Sequence, residues 1–419
     1  MTQVEQAREW EWRRWSPVLL LWTCFCLAYM ARQSLYSTFP LLRLELGFTE
    51  AQLGLTTTVF SWVYGIAGAF GGKLGDLVSR KRVILFSLAG WSAALALTAL
   101  ASTPGALLTG RSAMALAQSF YIPAALAIIG SLHSPATRAR AITLHGTAQG
   151  SGVILGGYYG AVVSEGLGWR PMLGILAAAT VAYALVVRWF LRTGDADPAA
   201  PAATAAATKP AGFSLWQLFA IPTFSLIALC SVAVGANVWM LYTWLPDLLR
   251  ERFHLPIAQA SLLATSSIEV PMFVGLILGA FGGDRLARGR PVGRLYLMCA
   301  GLGAACACFF FIGAGATLWA VQGATVAYAV CKGFYTANYI ACIFEVVPVR
   351  ARAFSVGVIN MTSGLGGSLS PYLLGALKPV YGTVGVFGGI SVFGVTTALT
   401  LALLGLRRFQ RDQENQQRI

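Results

Sequence analysis

The sequence predicts an all-α membrane protein of twelve transmembrane helices in two pseudo-symmetric six-helix halves. Three observations predict it. The 419-residue chain is 57% hydrophobic and only 11% charged, where a soluble domain carries about 25% charged residues. Apolar runs near the ~20 residues that a bilayer-spanning helix needs recur along the whole length. The two halves of the chain also resemble each other.

The expected spans are 17–42, 52–74, 82–102, 106–132, 139–163 and 170–191, then 216–247, 257–282, 294–312, 316–345, 353–376 and 382–406. The first carries Arg32 in its middle, within CLAYMARQSLYSTFP. The second leads into the basic loop GGKLGDLVSRKR, which ends at the start of the third. The fourth holds Arg111, Gln118 and Tyr121. The fifth is rich in glycine (Gly150, Gly152, Gly156, Gly157, Gly160), which lets helices approach closely. After the sixth comes TGDADPAAPAATAAATKPAG, a low-complexity stretch that reads as a flexible linker. The seventh span contains Asn237, Tyr242 and Trp244, and the eighth contains Glu269 two residues before Pro271. The ninth is apolar, the tenth holds Lys332, and the eleventh carries Gly364, Gly366, Gly367 and Pro371 before the apolar twelfth. The expected organisation is an N-terminal bundle (1–192), a cytoplasmic linker (193–215), a C-terminal bundle (216–408) and a cytoplasmic tail (409–419).

The net charge of +14 invites a nucleic-acid partner, but its placement argues for topology. With the N-terminus inside, the tails and even-numbered loops hold about 20 of the 30 Lys and Arg. The odd loops hold Arg43, Arg170, Arg250, Arg252 and Lys378. This is the positive-inside pattern, with both termini cytoplasmic. The first apolar run is too long for a signal peptide and lacks a small-residue cleavage site. All eight cysteines fall within spans. Cys24 and Cys26, like Cys306 and Cys308, are two apart and point to different helix faces, so they read as packing residues and not metal ligands. No Walker sequence, cofactor motif or catalytic set stands out, so neither an enzyme nor an ATP-driven pump is expected. A receptor without transport would need a signalling domain that the short tails do not offer.

FYIPAALAIIGSLHSPATRARA (120–141) echoes FYTANYIACIFEVVPVRARA (334–353). Gly75-Asp76 recurs as Gly283-Asp284. Parallel repeats joined by a cytoplasmic linker are a transporter architecture, with substrate bound near the midplane and alternating access.

GGKLGDLVSRKR resembles motif A of the major facilitator superfamily: Gly72, Asp76, Arg80 and Lys81 match, while Leu77 and Ser79 depart from it. The second copy, GGDRLARGR, supplies Asp284, Arg285 and Arg288. GRSAMALAQ, with Arg111, resembles motif B. The resemblance covers essentially the whole chain. It implies a cytoplasmic gate made by the motif A residues and a central cavity lined by spans 1, 4, 7 and 10. AYMARQSLYSTFPLLRLELGFTEAQLGL and YTWLPDLL are similar to the anion:cation symporters and organophosphate antiporters, and Tyr29-Met30 with Arg32 to the spinster-type lipid carriers. Ala31 stands where symporters and spinsters carry Asp, and Gly68 where phosphate antiporters carry Lys.

The ionisable residues deep in spans are Arg32, Arg111, Glu269 and Lys332. Each costs a few kcal/mol to place there and is a functional candidate by default. Arg32 shares a helical face with Tyr29 and Tyr36, and Lys332 with Tyr335, Tyr339 and Asn338. The expected cavity holds Arg32, Tyr29, Tyr36, Gln118, Tyr121, Asn237, Tyr242, Trp244, Lys332, Tyr335 and Asn338. It is positive and suits an anion, with the Arg fork taking a carboxylate or phosphate and Lys332 a point charge from the other half. Glu269 reads either as a structural partner of Arg32 or Lys332, or as a proton carrier. Burial favours its neutral form and a nearby cation its ionised form, so exchanging partners moves a proton. Arg111 reads as structural or as an aid to that relay. His145 reads as a packed residue, and His133 and His254 as loop residues.

The expected function is secondary active transport of a small organic anion, a sugar acid or other carboxylate, by proton-coupled symport in a monomer of a bacterial inner membrane. The alternatives are a phosphate-ester exchanger, a lysolipid carrier or a multidrug exporter.

Overall fold

The computed structural model describes residues 3–191, 214–289 and 292–417, with backbone alone for 3–13, 69–77 and 416–417. The low-complexity linker at 193–212 lies outside the described residues. Among the described residues the backbone is helical and no strand occurs.

The first span is built from α1 (Gln3–Gln33), a single 3-10 turn (Tyr36–Thr38) and α2 (Phe39–Leu46). The break has a local cause. Pro40 lacks the N–H that would bond the Tyr36 carbonyl, and its ring clashes there in a continuous helix. α3 (Glu50–Leu77), α4 (Arg80–Ala99), α5 (Pro104–Ser119), α6 (Tyr121–Leu132), α7 (Pro135–Leu167) and α8 (Trp169–Phe190) follow. Thr103 and Ser79 cap α5 and α4 by accepting from the backbone N–H of Ala106 and Arg82.

Beyond the linker, α9 (Leu215–Phe219) opens with a capping box between Ser214 and Gln217. α10 (Pro222–Phe253), α11 (Ile257–Gly289), α12 (Gly293–Ala314), α13 (Leu318–Val346), α14 (Arg352–Gly367) and α15 (Leu369–Thr400) follow. α15 is interrupted at Gly382, whose φ of 66° is left-handed and which separates the eleventh and twelfth predicted spans. A π-helical turn, Leu401–Gly405, leads into α16 (Leu406–Gln417). Helical backbone makes up most of each predicted span, with breaks such as Ala220–Ile221 and Ser368 inside them. By length and apolarity alone, eight stretches of the described residues qualify as membrane-crossing.

The chain divides into two compact units, Met1–Gly47 with Val63–Ala206, and Phe48–Trp62 with Ala207–Ile419. The first half of α3 belongs to the second unit. It is held there by Thr57 Oγ1 against Thr243 Oγ1 (2.8 Å), Thr58 donating to the Ser368 carbonyl (2.6 Å) and Trp62 donating to the Leu365 carbonyl (2.9 Å). Lys378 Nζ ties the same segment down, 3.6 Å from Glu50 and 3.1 Å from Glu251.

In the first unit α1 packs along α7, and α4 packs on α5 and α8. Glycines make the α1–α7 approach possible. A Cβ at Gly152, Gly156 or Gly160 would lie 2.5 Å from the backbone of Cys26, Met30 or Ser34 respectively. In the second unit α13 packs between α11 and α12. Gly275 and Gly333 meet there, with a Cβ on Gly333 falling 2.5 Å from Gly275 backbone.

The residues read as a tail from 409 onward are largely helical and docked. Phe409 is buried, and Asp412 accepts from Thr223 N (3.1 Å) and Thr223 Oγ1 (2.6 Å) at the start of α10. A carboxylate there meets the unsatisfied N–H groups and positive end of α10.

Candidate functional site

In the first unit the intramembrane charge sits at the end of α1. Arg32 is 6% exposed and donates from Nε to Gln118 Oε1 on α5 at 2.8 Å. Gln118 in turn donates to the Ala28 carbonyl (3.4 Å), one turn earlier on α1. The guanidinium carbon lies 4.5 Å from the ring centroid of Tyr29 and 4.5 Å from that of Tyr64. Two aromatic faces and an amide oxygen thus hold the buried cation. Each ring contact stabilises it by about 0.5–2 kcal/mol.

Tyr36 is not part of that group. The α1 break takes it off the Arg32 face, and its hydroxyl accepts from Arg111 Nη2 at 3.4 Å. Arg111, 2% exposed, also reaches the Ala31 carbonyl from Nη1 (3.5 Å). It therefore braces the unwound end of α1 next to Arg32, and the two guanidinium charges act on each other.

Tyr121 is also elsewhere. Its hydroxyl donates to the Leu21 carbonyl (2.5 Å) and stands 3.2 Å from His145 Nε2. Leu21 is eleven residues before Arg32, roughly 16 Å along the helix. His145 is buried and stacks on Phe25 at 4.9 Å, a packed histidine. His133 ends α6 and is buried, with Nε2 3.2 Å from the Arg14 carbonyl.

The second unit holds the acid. Glu269 on α11 is 1% exposed and accepts a short hydrogen bond from the Tyr242 hydroxyl on α10. Both helices carry an internal proline close by, Pro246 and Pro271. Each removes one backbone hydrogen bond and loosens the helix locally. Lys332 on α13 is 8% exposed and donates to Met272 Sδ (3.1 Å), one turn beyond Glu269. It also feels the Glu269 carboxylate electrostatically. Among the described residues no ion pair within contact distance joins the two.

The remaining candidates of this unit are dispersed. Asn237 donates to Cys306 Sγ (3.3 Å), and its Oδ1 is buried without a hydrogen-bond partner among the described residues. Trp244 donates to the Pro371 carbonyl (3.0 Å). Asn338 spends both amide hydrogens on carbonyls, Gly279 (3.0 Å) and Phe334 (2.9 Å), clamping α13 to α11. Tyr335 packs in the apolar core with Cys230 and Cys299 and stacks on Tyr339 (5.6 Å). Tyr121 and Tyr335 correspond in the internal repeat, and both are core residues of their own unit.

Of the gate residues, Gly72 and Asp76 are described by backbone only. Arg80 donates to the Ala127 carbonyl (3.3 Å), and Lys81 stands in the first turn of α4. Asp284 pairs with Arg294 at 2.5 Å, a base outside the motif, while Arg285 and Arg288 are exposed. Among the described residues no group of three or more His, Cys, Asp or Glu side chains could hold a metal.

Two residues escaped the sequence reading. Tyr64, from the second span, forms the second face on Arg32. Asp247, just after the Trp-x-Pro element, is buried and lines a cavity of about 240 Å³ with Trp244, Glu251, Arg252 and Lys378.

The pattern of the Major Facilitator Superfamily matches residues 21–371. The chain belongs to the major facilitator superfamily. As a superfamily member it is a membrane transporter. It is 24% identical over 395 residues to the human voltage-gated purine nucleotide uniporter SLC17A9, covering 90% of this chain and 89% of that protein. It is 22% identical over 421 residues to the D-galactonate transporter of Escherichia coli O6:H1, covering 94% and 95%. Among solved structures, a bacterial homologue of the human lysosomal transporter Spinster, inward-facing and unoccupied, superposes with a TM-score of 0.75 at 20% identity, covering 96% of this chain and 98% of that one. At that identity the likeness speaks for the fold alone.

Proposed function

We propose that this superfamily member carries a small organic anion, a sugar acid or related carboxylate, by proton-coupled symport across a bacterial inner membrane, with both termini cytoplasmic. The observation that carries the reading is the Arg32 site. Burying a guanidinium between Tyr29 and Tyr64 with Gln118 on its Nε is costly, and a charge kept in such a place is a functional candidate by default. Fixing Nε orients the plane of the fork, and an oriented fork is what bidentate recognition of a carboxylate requires. Arg111 adds positive charge to the same unit, so the local field favours anions. The nucleotide and galactonate carriers among its relatives transport anions by their names, which agrees with this assignment.

In this reading Lys332 is the second cargo cation and Glu269 the proton carrier. Tyr242 and the Lys332 charge supply the groups between which Glu269 changes state. Protonation of Glu269 releases the hold of a negative charge on Lys332 and makes the ammonium available to cargo. Loading of proton and anion is then coupled without direct contact between them.

The test is thermal stabilisation of the purified protein across sugar acids, monocarboxylates, phosphate esters, neutral sugars and lysolipids. Specific binding to the native state raises its stability by mass action. One carboxylate class stabilises the wild type and not Arg32→Ala. Phosphate esters alone would assign an exchanger. Stabilisation by lysolipids or neutral compounds alone would end the anion reading.

A further inference from the structure

The turn between α11 and α12 carries a groove beside the gate residues Arg285 and Arg288. The groove, of about 500 Å³, is lined by Arg285, Leu286, Gly289, Gly293 and Tyr296. It lies at the C-terminal end of α11 and the N-terminal end of α12. Leu286 and Tyr296 are 47% and 46% exposed at its edge. Its shape follows from the glycines. A Cβ on Gly293 would lie 2.4 Å from the Leu286 carbonyl, so the helices meet closely at that point. A Cβ on Gly289 would meet nothing within 4 Å, so the groove is open above it.

The charge at this place is uneven. Asp284 is taken by Arg294 at 2.5 Å, and the Glu345 carboxylate also acts on Arg294. Arg285 and Arg288 are exposed one turn apart on α11, and no acid among the described residues pairs with them. Arg285 lies on one helical face with Val274, Leu278 and Phe281, at spacings of eleven, seven and four residues. Those three apolar side chains are 50%, 52% and 74% exposed. The exposed apolar stripe thus ends in two arginines, a groove and a tyrosine. Lys and Arg beside membrane helices attract anionic headgroups, and aromatic residues settle at the same level.

We propose that this groove is a binding site for an anionic phospholipid. Arg285 and Arg288 pair with the headgroup phosphate, and an acyl chain lies along Phe281, Leu278 and Val274. The phosphate accepts from the guanidinium forks, and the chain supplies the apolar contact that a soluble phosphate lacks. Gly289 keeps the headgroup position clear.

The site is tested by native mass spectrometry of the full chain in detergent, with phosphatidylglycerol or phosphatidylcholine of the same acyl chains added. The wild type retains phosphatidylglycerol in preference. Arg285→Gln with Arg288→Gln weakens that retention about 10-fold or more, and Arg285→Lys with Arg288→Lys preserves most of it. Gly289→Leu, which fills the groove and leaves both arginines, also lowers it. Soluble glycerol phosphate does not displace the lipid. Equal retention of the two lipids by the wild type overturns the proposal. So does a preference that survives Gly289→Leu, or full displacement by glycerol phosphate, which would mark a soluble-anion site.

Discussion

Arg32 Nε and Gln118 Oε1, 86 residues apart in sequence, are joined at 2.8 Å by a buried hydrogen bond. The bond makes Gln118 the neutral group that sets the plane of the guanidinium. Gln118→Glu replaces it with a carboxylate at the same distance. The arginine stays, but an ion pair satisfies it. Anion binding, measured as ligand-dependent thermal stabilisation or by titration calorimetry, is expected to fall at least about 10-fold, while stability without ligand is kept. Undiminished binding would show that Arg32 does not contact the cargo.

Glu269 takes the Tyr242 hydroxyl and stands near the Lys332 charge. Glu269→Gln keeps a hydrogen-bond acceptor for Tyr242 and cannot titrate. In liposomes, uptake driven by a pH gradient is expected to disappear, while exchange of labelled for unlabelled cargo persists. Loss of both activities would assign Glu269 to cargo binding or structure instead.

Gly156 of α7 faces the α1 backbone, where a Cβ would lie 2.5 Å from Met30 Cα. Backbone cannot step aside as a side chain can. Gly156→Val is expected to cost about 1–3 kcal/mol, read as a lower thermal midpoint in detergent. Gly146, also on α7, has nothing within 4 Å of a Cβ, so Gly146→Ala serves as the control with little change.

His133 lies between the fourth and fifth spans, against Trp15 at 4.8 Å and the Arg14 carbonyl at 3.2 Å. Burial lowers its affinity for a proton most, the hydrogen bond to the Arg14 carbonyl offsets part of this, and the neighbouring Arg14 charge adds to the lowering. The folded protein therefore binds fewer protons at this site than the unfolded chain. Stability is full above the ordinary histidine range of about 6.5 and declines as the pH falls through it. The decline levels off once His133 is protonated in the folded state too. His133→Asn is expected to flatten the fall in stability just below the ordinary histidine pKa of about 6.5. An unchanged curve would place the effect elsewhere.

The sequence by itself determined the membrane-spanning helical class, the two halves and the small set of buried charges. These rest on quantities that each residue carries alone: hydropathy over a window, the low tolerance of a bilayer for charge, and a repeat in the order of residues. The glycines of α7 were legible for the same reason, since a missing side chain at four-residue spacing permits only close packing. Pairings across helices were not legible. Tyr36 shares a helical face with Arg32 only if the helix runs on, and the break before Pro40 sends it to Arg111, while Tyr64 arrives from another helix. Asp284 found Arg294, not the arginines of its own motif, because a turn brings α12 back beside α11. Asn338 spends its amide on neighbouring backbone, and Tyr335 packs in the apolar core with its hydroxyl lacking a hydrogen-bond partner among the described residues. Tertiary structure decided these partners because a hydrogen bond depends on a position within ångströms, and that position is set by how whole helices pack.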